Sequence, residues 1–253
     1  MIRLKAPWEI AMMQASGGRL AEVVAILEHA IRPGLTGLEL DALAEEEIHR
    51  RNGVPSFKGY RAGGNRAFPA TLCISRNEEV VHGIPDDKPF RPGEVVSIDV
   101  GLQYGGYHAD TAFTVAVGEI PARVQELLDA TRESLYEGIA RAVPGNRTGD
   151  IGHAVESHVA PRGFSVIRDY VGHGVGRDLH EEPTVPNFGQ PHTGVLLKPG
   201  LCIAIEPMVS MGSHLTQVAR NGWTVTTRDG SITAHFEHSI AITESGPLIL
   251  TTL

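Results

Sequence analysis

Apolar residues recur near the 3.6-residue period at Ile10, Met13, Leu20, Val24 and Leu27, which predicts a helix over 8–31. Gly17-Gly18 weakens its middle, and Pro33-Gly34 closes it. Thr36, followed three residues later by Glu39, reads as a capping box for a second helix to about Arg51, ending near Asn52-Gly53. Residues 54–70 are rich in glycine and aromatics (PSFKGYRAGGNRAFP) and read as a loop at the surface or at a site mouth. A short strand follows at 71–75, a turn at Asn77-Glu78, and an extended segment at 80–85 that contains His82. Residues 95–101 and 108–117 read as antiparallel strands joined through Tyr104-Gly105-Gly106. A long amphipathic helix is expected over 121–143, broken by Pro144-Gly145. Thr148 then caps a helix over 151–161, and strands follow from Phe164, completed by 201–207, 223–227 and 236–243.

The element order is therefore helix, helix, strands, twice over. One phrase also repeats. FRPGEVVSIDVG places Asp99 seven residues after Pro92, and LLKPGLCIAIEPM places Glu206 seven residues after Pro199. Each is a Pro-Gly turn, a short apolar run and an acid. Order and phrase together suggest a single domain, 1–253, built from half-repeats of about 8–118 and 121–245. An acid ending an apolar strand is costly to bury unless something pairs with it. Two such acids suggest two related halves facing one shared cation site.

Composition narrows the function classes. With 253 residues the chain can bury one sizeable core. A net charge of −8 without a basic stripe argues against nucleic acid as the main partner. No run resembles a signal peptide, and no charge-free stretch reaches membrane-spanning length, so the expected setting is cytoplasmic, away from any membrane. Cys73 and Cys202 form no CxxC pair, which excludes a zinc finger or a disulfide framework.

Five residues in or beside predicted strands carry candidate chemistry: Asp99, Asp110, His173, Glu206 and Glu237. Four carboxylates brought together repel unless cations neutralise them. Oxygen donors with one imidazole suit Mn²⁺, Fe²⁺, Co²⁺ or Zn²⁺, and two such ions can share bridging carboxylates. Asp99 and Asp110 lie eleven residues apart across a hairpin, within reach of one centre. The plainer reading is two surface acids on a solvated hairpin, but the matching phrase at Glu206 and its Ile-Glu-Pro context weigh against it. His173 stands between glycines in YVGHGVG, which permit close backbone approach. His180 in LHEEP and His82 in VVHGIP are each, taken singly, as readily structural as functional. The sequence contains no HExxH, no GxSxG and no phosphate-binding glycine loop.

Taken in order, VHGIPDDKPFRPGEVVSIDVG, HADTAFTVAVG, YVGHGVGRDLHEEP, LKPGLCIAIEPM and NGWTVTTRDGSITAHFEHSI resemble the type I methionine aminopeptidases, which are pita-bread metallopeptidases. The resemblance covers almost the whole chain. It implies an α+β pita-bread fold, with pseudo-twofold halves and a curved antiparallel sheet covered by helices. It implies removal of N-terminal methionine from nascent or short peptides by water activated at two divalent ions (Co²⁺, Mn²⁺, Fe²⁺ or Zn²⁺), favouring a small second residue. By motif, Asp99, Asp110, His173, Glu206 and Glu237 match the metal ligands, with Glu206 also a candidate proton shuttle. His180 matches the histidine facing the substrate carbonyl, and His82 the one facing the scissile amide. Tyr60, Phe68, Cys73 and Trp223, with Phe57 as a weaker candidate, match an apolar pocket suited to a thioether.

The implied partners are peptides with a free N-terminal methionine and, transiently, the ribosome; the implied state is a monomer. The rivals are an X-Pro exopeptidase of the same fold and a non-catalytic metal-binding module. X-Pro enzymes usually carry an extra preceding domain, and Asp99 comes too early for one. Type II enzymes carry a helical insertion, for which the 33 residues from His173 to Glu206 and the 31 from there to Glu237 leave no room. Two departures from the family stand out. The loop Arg61 to Ala67 looks longer than usual, and Leu179 stands where many bacterial members have phenylalanine.

Overall fold

The computed structural model describes residues 2–61 and 66–253. Its centre is an antiparallel sheet. Val95–Tyr104 pairs with Tyr107–Ala116, which pairs with Glu237–Thr243, then Cys202–Ile205, Gly172–Gly174 and Glu181–Val185. Leu72–Arg76 and Val54–Pro55 flank Val95–Tyr104, and Gly246–Ile249 pairs with Glu237–Thr243. Helices α1 (Pro7–Ala30) and α2 (Gly37–Arg50) cover the part of the sheet built by the first half of the chain. Helices α3 (Ala122–Arg141) and α4 (Thr148–Val159) cover the part built by the second. One apolar core runs through both, including Leu20, Leu40, Ile98, Leu127, Ile203 and Ile240. Each side chain of that size contributes roughly 1.5–3 kcal/mol when fully buried.

The capping box opens α2 as the sequence predicts: Thr36 Oγ1 accepts from Glu39 N at 3.2 Å, and Glu39 Oε2 accepts from Thr36 N at 2.8 Å. The glycine pair in α1 has a tertiary reason. A Cβ on Gly17 would lie 2.0 Å from the Leu250 carbonyl oxygen, so the helix can lie against that backbone only where it has no side chain. Gly18 meets open space. Helix α1 is long and apolar enough to cross a membrane by length and composition. It spends that apolar face on the sheet instead, burying Met13, Leu20, Val23 and Leu27 completely.

Helix α4 starts earlier than expected, at Thr148, and ends at Val159. Arg147 is its cap residue, and Asp150 Oδ2 accepts the Arg147 N–H at 2.7 Å. Thr148 Oγ1 accepts from Val195 N at 3.1 Å and so ties a loop rather than capping the helix. The segment 80–85 is strand only over Glu79–Val81. His82 ends it in the left-handed region, at φ +58°, an uncommon conformation for a residue with a Cβ. The strand predicted at 223–227 starts at Val225, leaving Trp223 in the preceding turn. Of the long loop Arg61 to Ala67, residues 62–65 lie outside the described residues.

Candidate active site

The sheet register collects the acids. Residues paired across antiparallel strands point to one face, and faces alternate along each strand. Asp99 pairs with Ala112 and Gly101 with Asp110, so Asp99 and Asp110 share a face on a diagonal. Ala112 also pairs with Glu237 on its other side. His238 pairs with Ile205, and one further step in that register sets Glu206 beside Glu237. Acids as far as 138 positions apart in the chain, Asp99 and Glu237, thus fall into one row. His173 joins from the neighbouring strand, its Nε2 3.6 Å from Glu206 Oε1 and 3.8 Å from Asp110 Oδ2. The glycines beside it are there for its neighbours. A Cβ on Gly172 would lie 2.3 Å from Ala204 O, and one on Gly174 would lie 2.3 Å from Glu182 O.

Backbone ties hold the row still. Ser239 Oγ accepts from Asp110 N at 3.0 Å and donates to Asp110 O at 2.8 Å. Thr111 Oγ1 donates to Glu237 O at 2.6 Å, and Asn187 Nδ2 donates to Glu206 O at 3.0 Å. The side chains, by contrast, keep unpaired oxygens: Asp99 Oδ1, Asp110 Oδ1 and Glu237 Oε1 are buried with no hydrogen bond among the described residues. Burial pushes the Asp99 carboxyl up to about 7. Burial, then the neighbouring carboxylates, holds Asp110, Glu206 and Glu237 well above the usual range.

His173 Nδ1 lies 2.8 Å from Gly174 O. A carbonyl only accepts, so Nδ1 carries the proton and Nε2 turns a bare lone pair toward the acids. Burial holds this ring neutral, its pKa lowered to about 4. An imidazole lone pair turned toward buried carboxylates makes a donor set built for cations. One donor atom each from Asp110, His173 and Glu237 lies within 4.8 Å of the others.

The acids form one wall of a cavity of about 290 Å³. Phe57, Tyr60, Phe68, Cys73, Leu179 and Trp223 form an apolar end. Phe68 meets Trp223 edge-on, with ring centres 5.2 Å apart. His82 sits edge-on between Trp223, at 6.1 Å, and Tyr170, at 5.7 Å, and burial lowers its pKa to about 4. His180 stands 4.3 Å from the His173 ring, and its Nδ1 is 2.7 Å from the Tyr60 hydroxyl. Its outer edge meets solvent, yet desolvation of the ring and the nearby imidazoles lower its pKa to about 3. Every site residue named from the sequence therefore lines this one cavity.

Sequence reasoning missed Tyr170, which flanks His82, and His235, which reaches Glu206 Oε2 at 3.8 Å. The available signal for His235 was its spacing: it lies two residues before Glu237.

Buried acids and an imidazole set on a curved antiparallel sheet beside an apolar pocket define a metallohydrolase-type centre. The chain belongs to metallopeptidase family M24, whose sequence profile matches residues 11–244. Methionine aminopeptidase 1 of Bacillus subtilis is 47% identical over 251 residues, covering 99% of both chains. Methionine aminopeptidase of Clostridium acetobutylicum is 46% identical over 252 residues, again covering 99% of both. The crystal structure of methionine aminopeptidase from Thermotoga maritima superposes with a TM-score of 0.96 at 47% identity, over 100% of both chains. Prolidase from Pyrococcus furiosus superposes at 0.78 with 22% identity, covering 99% of this chain and 65% of its own; that likeness shows the fold alone. The fold is the α+β pita-bread arrangement expected from the motifs.

Proposed function

We propose that this chain is a metal-dependent aminopeptidase that removes N-terminal methionine from peptides. The observation that carries the reading is one cavity with buried carboxylates at one end, three of them keeping an oxygen unpaired among the described residues, and an apolar pocket at the other. The methionine aminopeptidases it resembles at 46–47% identity over nearly full length support it further.

Asp99, Asp110, His173, Glu206 and Glu237 are the residues that would hold two divalent ions, and Co²⁺, Mn²⁺, Fe²⁺ and Zn²⁺ all suit such donors. When bound, the ions supply a water of lowered pKa and a positive field at the scissile carbonyl. Glu206 takes the proton of the attacking water and passes it to the leaving amine. His180 is neutral, so it can donate from Nε2 to the carbonyl oxygen as negative charge develops there. That requires Nδ1 to accept, and the Tyr60 hydroxyl is placed to donate to it. His82 orients the scissile amide. The methionine thioether packs among Phe57, Tyr60, Phe68, Cys73 and Trp223, where sulfur–aromatic contacts favour it. A preference for a small second residue goes with this reading.

The same reading makes the chain a cytoplasmic monomer acting on peptides as they leave the ribosome. Two free buried cysteines and a net charge of −8 are in keeping with that setting. It also treats 8–118 and 121–245 as diverged half-repeats. In support, Asp99 and Glu206 arrive on the outer strands of one four-strand row, either side of the pair formed by Tyr107–Ala116 and Glu237–Thr243.

The test is hydrolysis of Met-Ala-Ser by Mn²⁺- or Co²⁺-loaded protein. Cleavage should stop with chelator and return with metal. Intact peptide under metal-loaded conditions ends the proposal, and preferential cleavage of Ala-Pro would make the chain an X-Pro exopeptidase instead.

A further inference from the structure

His235 is 2% exposed, and its Nε2 is buried without a hydrogen-bond partner among the described residues. An orphaned buried nitrogen in a native core calls for a reason. The backbone around it is fully engaged: His235 N donates to Thr114 Oγ1 at 2.9 Å, and Thr114 Oγ1 donates to His235 O at 2.8 Å. His235 also pairs with Met208 across adjacent strands, which fixes its backbone, and burial leaves the ring little room to turn to another partner. The polar group facing Nε2 is Glu206 Oε2, at 3.8 Å, while Glu206 Oε1 lies 3.6 Å from His173 Nε2. The two oxygens of one carboxylate thus face two different imidazoles.

We propose that His235 is a positioning residue for Glu206: its Nε2–H donates to Oε2, which keeps Oε1 turned toward His173 and the other acids. The inference rests on Glu206 acting as a metal-ligating carboxylate. A shift of about 1 Å brings the pair to the roughly 2.8 Å of a charge-assisted hydrogen bond. Ligating carboxylates are commonly held by such outer contacts, and losing one costs about 10- to 100-fold in metal affinity or activity. The bond requires that Nε2 of His235 carry the proton, the opposite tautomer to the one hydrogen bonding assigns to His173.

The experiment compares His235→Leu, which keeps bulk without a donor, with His235→Gln, which keeps an N–H donor. Calorimetric titration of Mn²⁺ into the metal-free Leu variant should show binding weaker by about 10- to 100-fold. Its kcat on Met-Ala-Ser should fall while KM stays, and the Gln variant should recover both quantities. Wild-type affinity and kcat in the Leu variant overturn the proposal, as does a Gln variant no better than Leu. Should the Leu variant fail to fold, ¹⁵N NMR of the Zn²⁺-loaded wild type decides. Protonated Nε2 with bare Nδ1 on His235 is expected, and the reverse tautomer overturns the assignment. Glu206→Gln separates this inference from the reading beneath it. Weakened metal binding there beside an unaffected Leu variant removes only the role of His235, whereas wild-type binding in Glu206→Gln removes the ligand role itself.

Discussion

Asp99 and Glu237 stand two strands apart on one face of the sheet, and Ala112 is the residue between them in the register. A methyl group at that point leaves room between two buried carboxyls. Ala112 is 4% exposed, so a larger side chain there has only the site to enter. Ala112→Leu should abolish calorimetrically detectable Mn²⁺ binding and lower stability by about 1–3 kcal/mol through overpacking. Retained metal binding in a folded Leu variant would show that the space between these acids is not used.

Stability of the metal-free protein should fall with rising pH above 6.5. At pH 6.5, the ordinary histidine value, His82, His173, His180 and His235 already have depressed pKa values in the fold, and above it they add little slope. Asp99 is raised from 3.8 to about 7, and Asp110, Glu206 and Glu237 are raised well above their ordinary values. The fold therefore keeps protons that the unfolded chain has already released, and stability is lost as pH climbs through these folded values. Below pH 6.5 the depressed histidines pull the other way, so the clean window lies above it. Thermal midpoints of chelated protein should drop between pH 6.5 and about 8 and recover with Mn²⁺. A flat profile in chelator contradicts the account.

His180→Ala and His82→Ala should spare metal affinity while lowering kcat by about 10²- to 10⁴-fold, the range for a lost proton donor or acceptor. Tyr60→Phe should lower kcat less, because it removes the 2.7 Å contact to His180 Nδ1 and leaves the imidazole in place. Steady-state kinetics beside metal titrations check both. Parallel loss of bound metal in His180→Ala would reassign that residue.

The adjacent glycines of α1 should respond oppositely to alanine. Gly17→Ala puts a methyl 2.0 Å from Leu250 O and should lower the thermal midpoint. Gly18→Ala meets open space and should raise stability by up to about 1 kcal/mol, through helix propensity and a less flexible unfolded chain. Equal effects at the two positions would remove the close-approach argument.

Much of the fold was legible because its signals are local. The α2 capping box spans four residues and forms as read. The Val95–Tyr104 and Tyr107–Ala116 hairpin carries its turn within its own sequence. The start of α4 is not legible locally: threonine is a common cap residue, and nothing near Thr148 says that Val195 claims its hydroxyl. The strand expected at 223–227 loses Trp223 to a turn, because Asn221 Oδ1 accepts from the Trp223 and Thr224 amides. His235 was passed over because a lone histidine beside a ligand motif has no pattern of its own.

By itself the sequence determined the order of helices and strands, the repeated acid-ended phrase and the motifs of the family, since these depend on neighbours along the chain. Only the tertiary structure decided that Asp110 meets Ser239, 129 positions further along the chain, that His173 presents its unprotonated nitrogen to the acids, and that the His235 ring comes within 3.8 Å of Glu206. Those outcomes come from strand register and desolvation, and both exist only once distant segments have paired and excluded water.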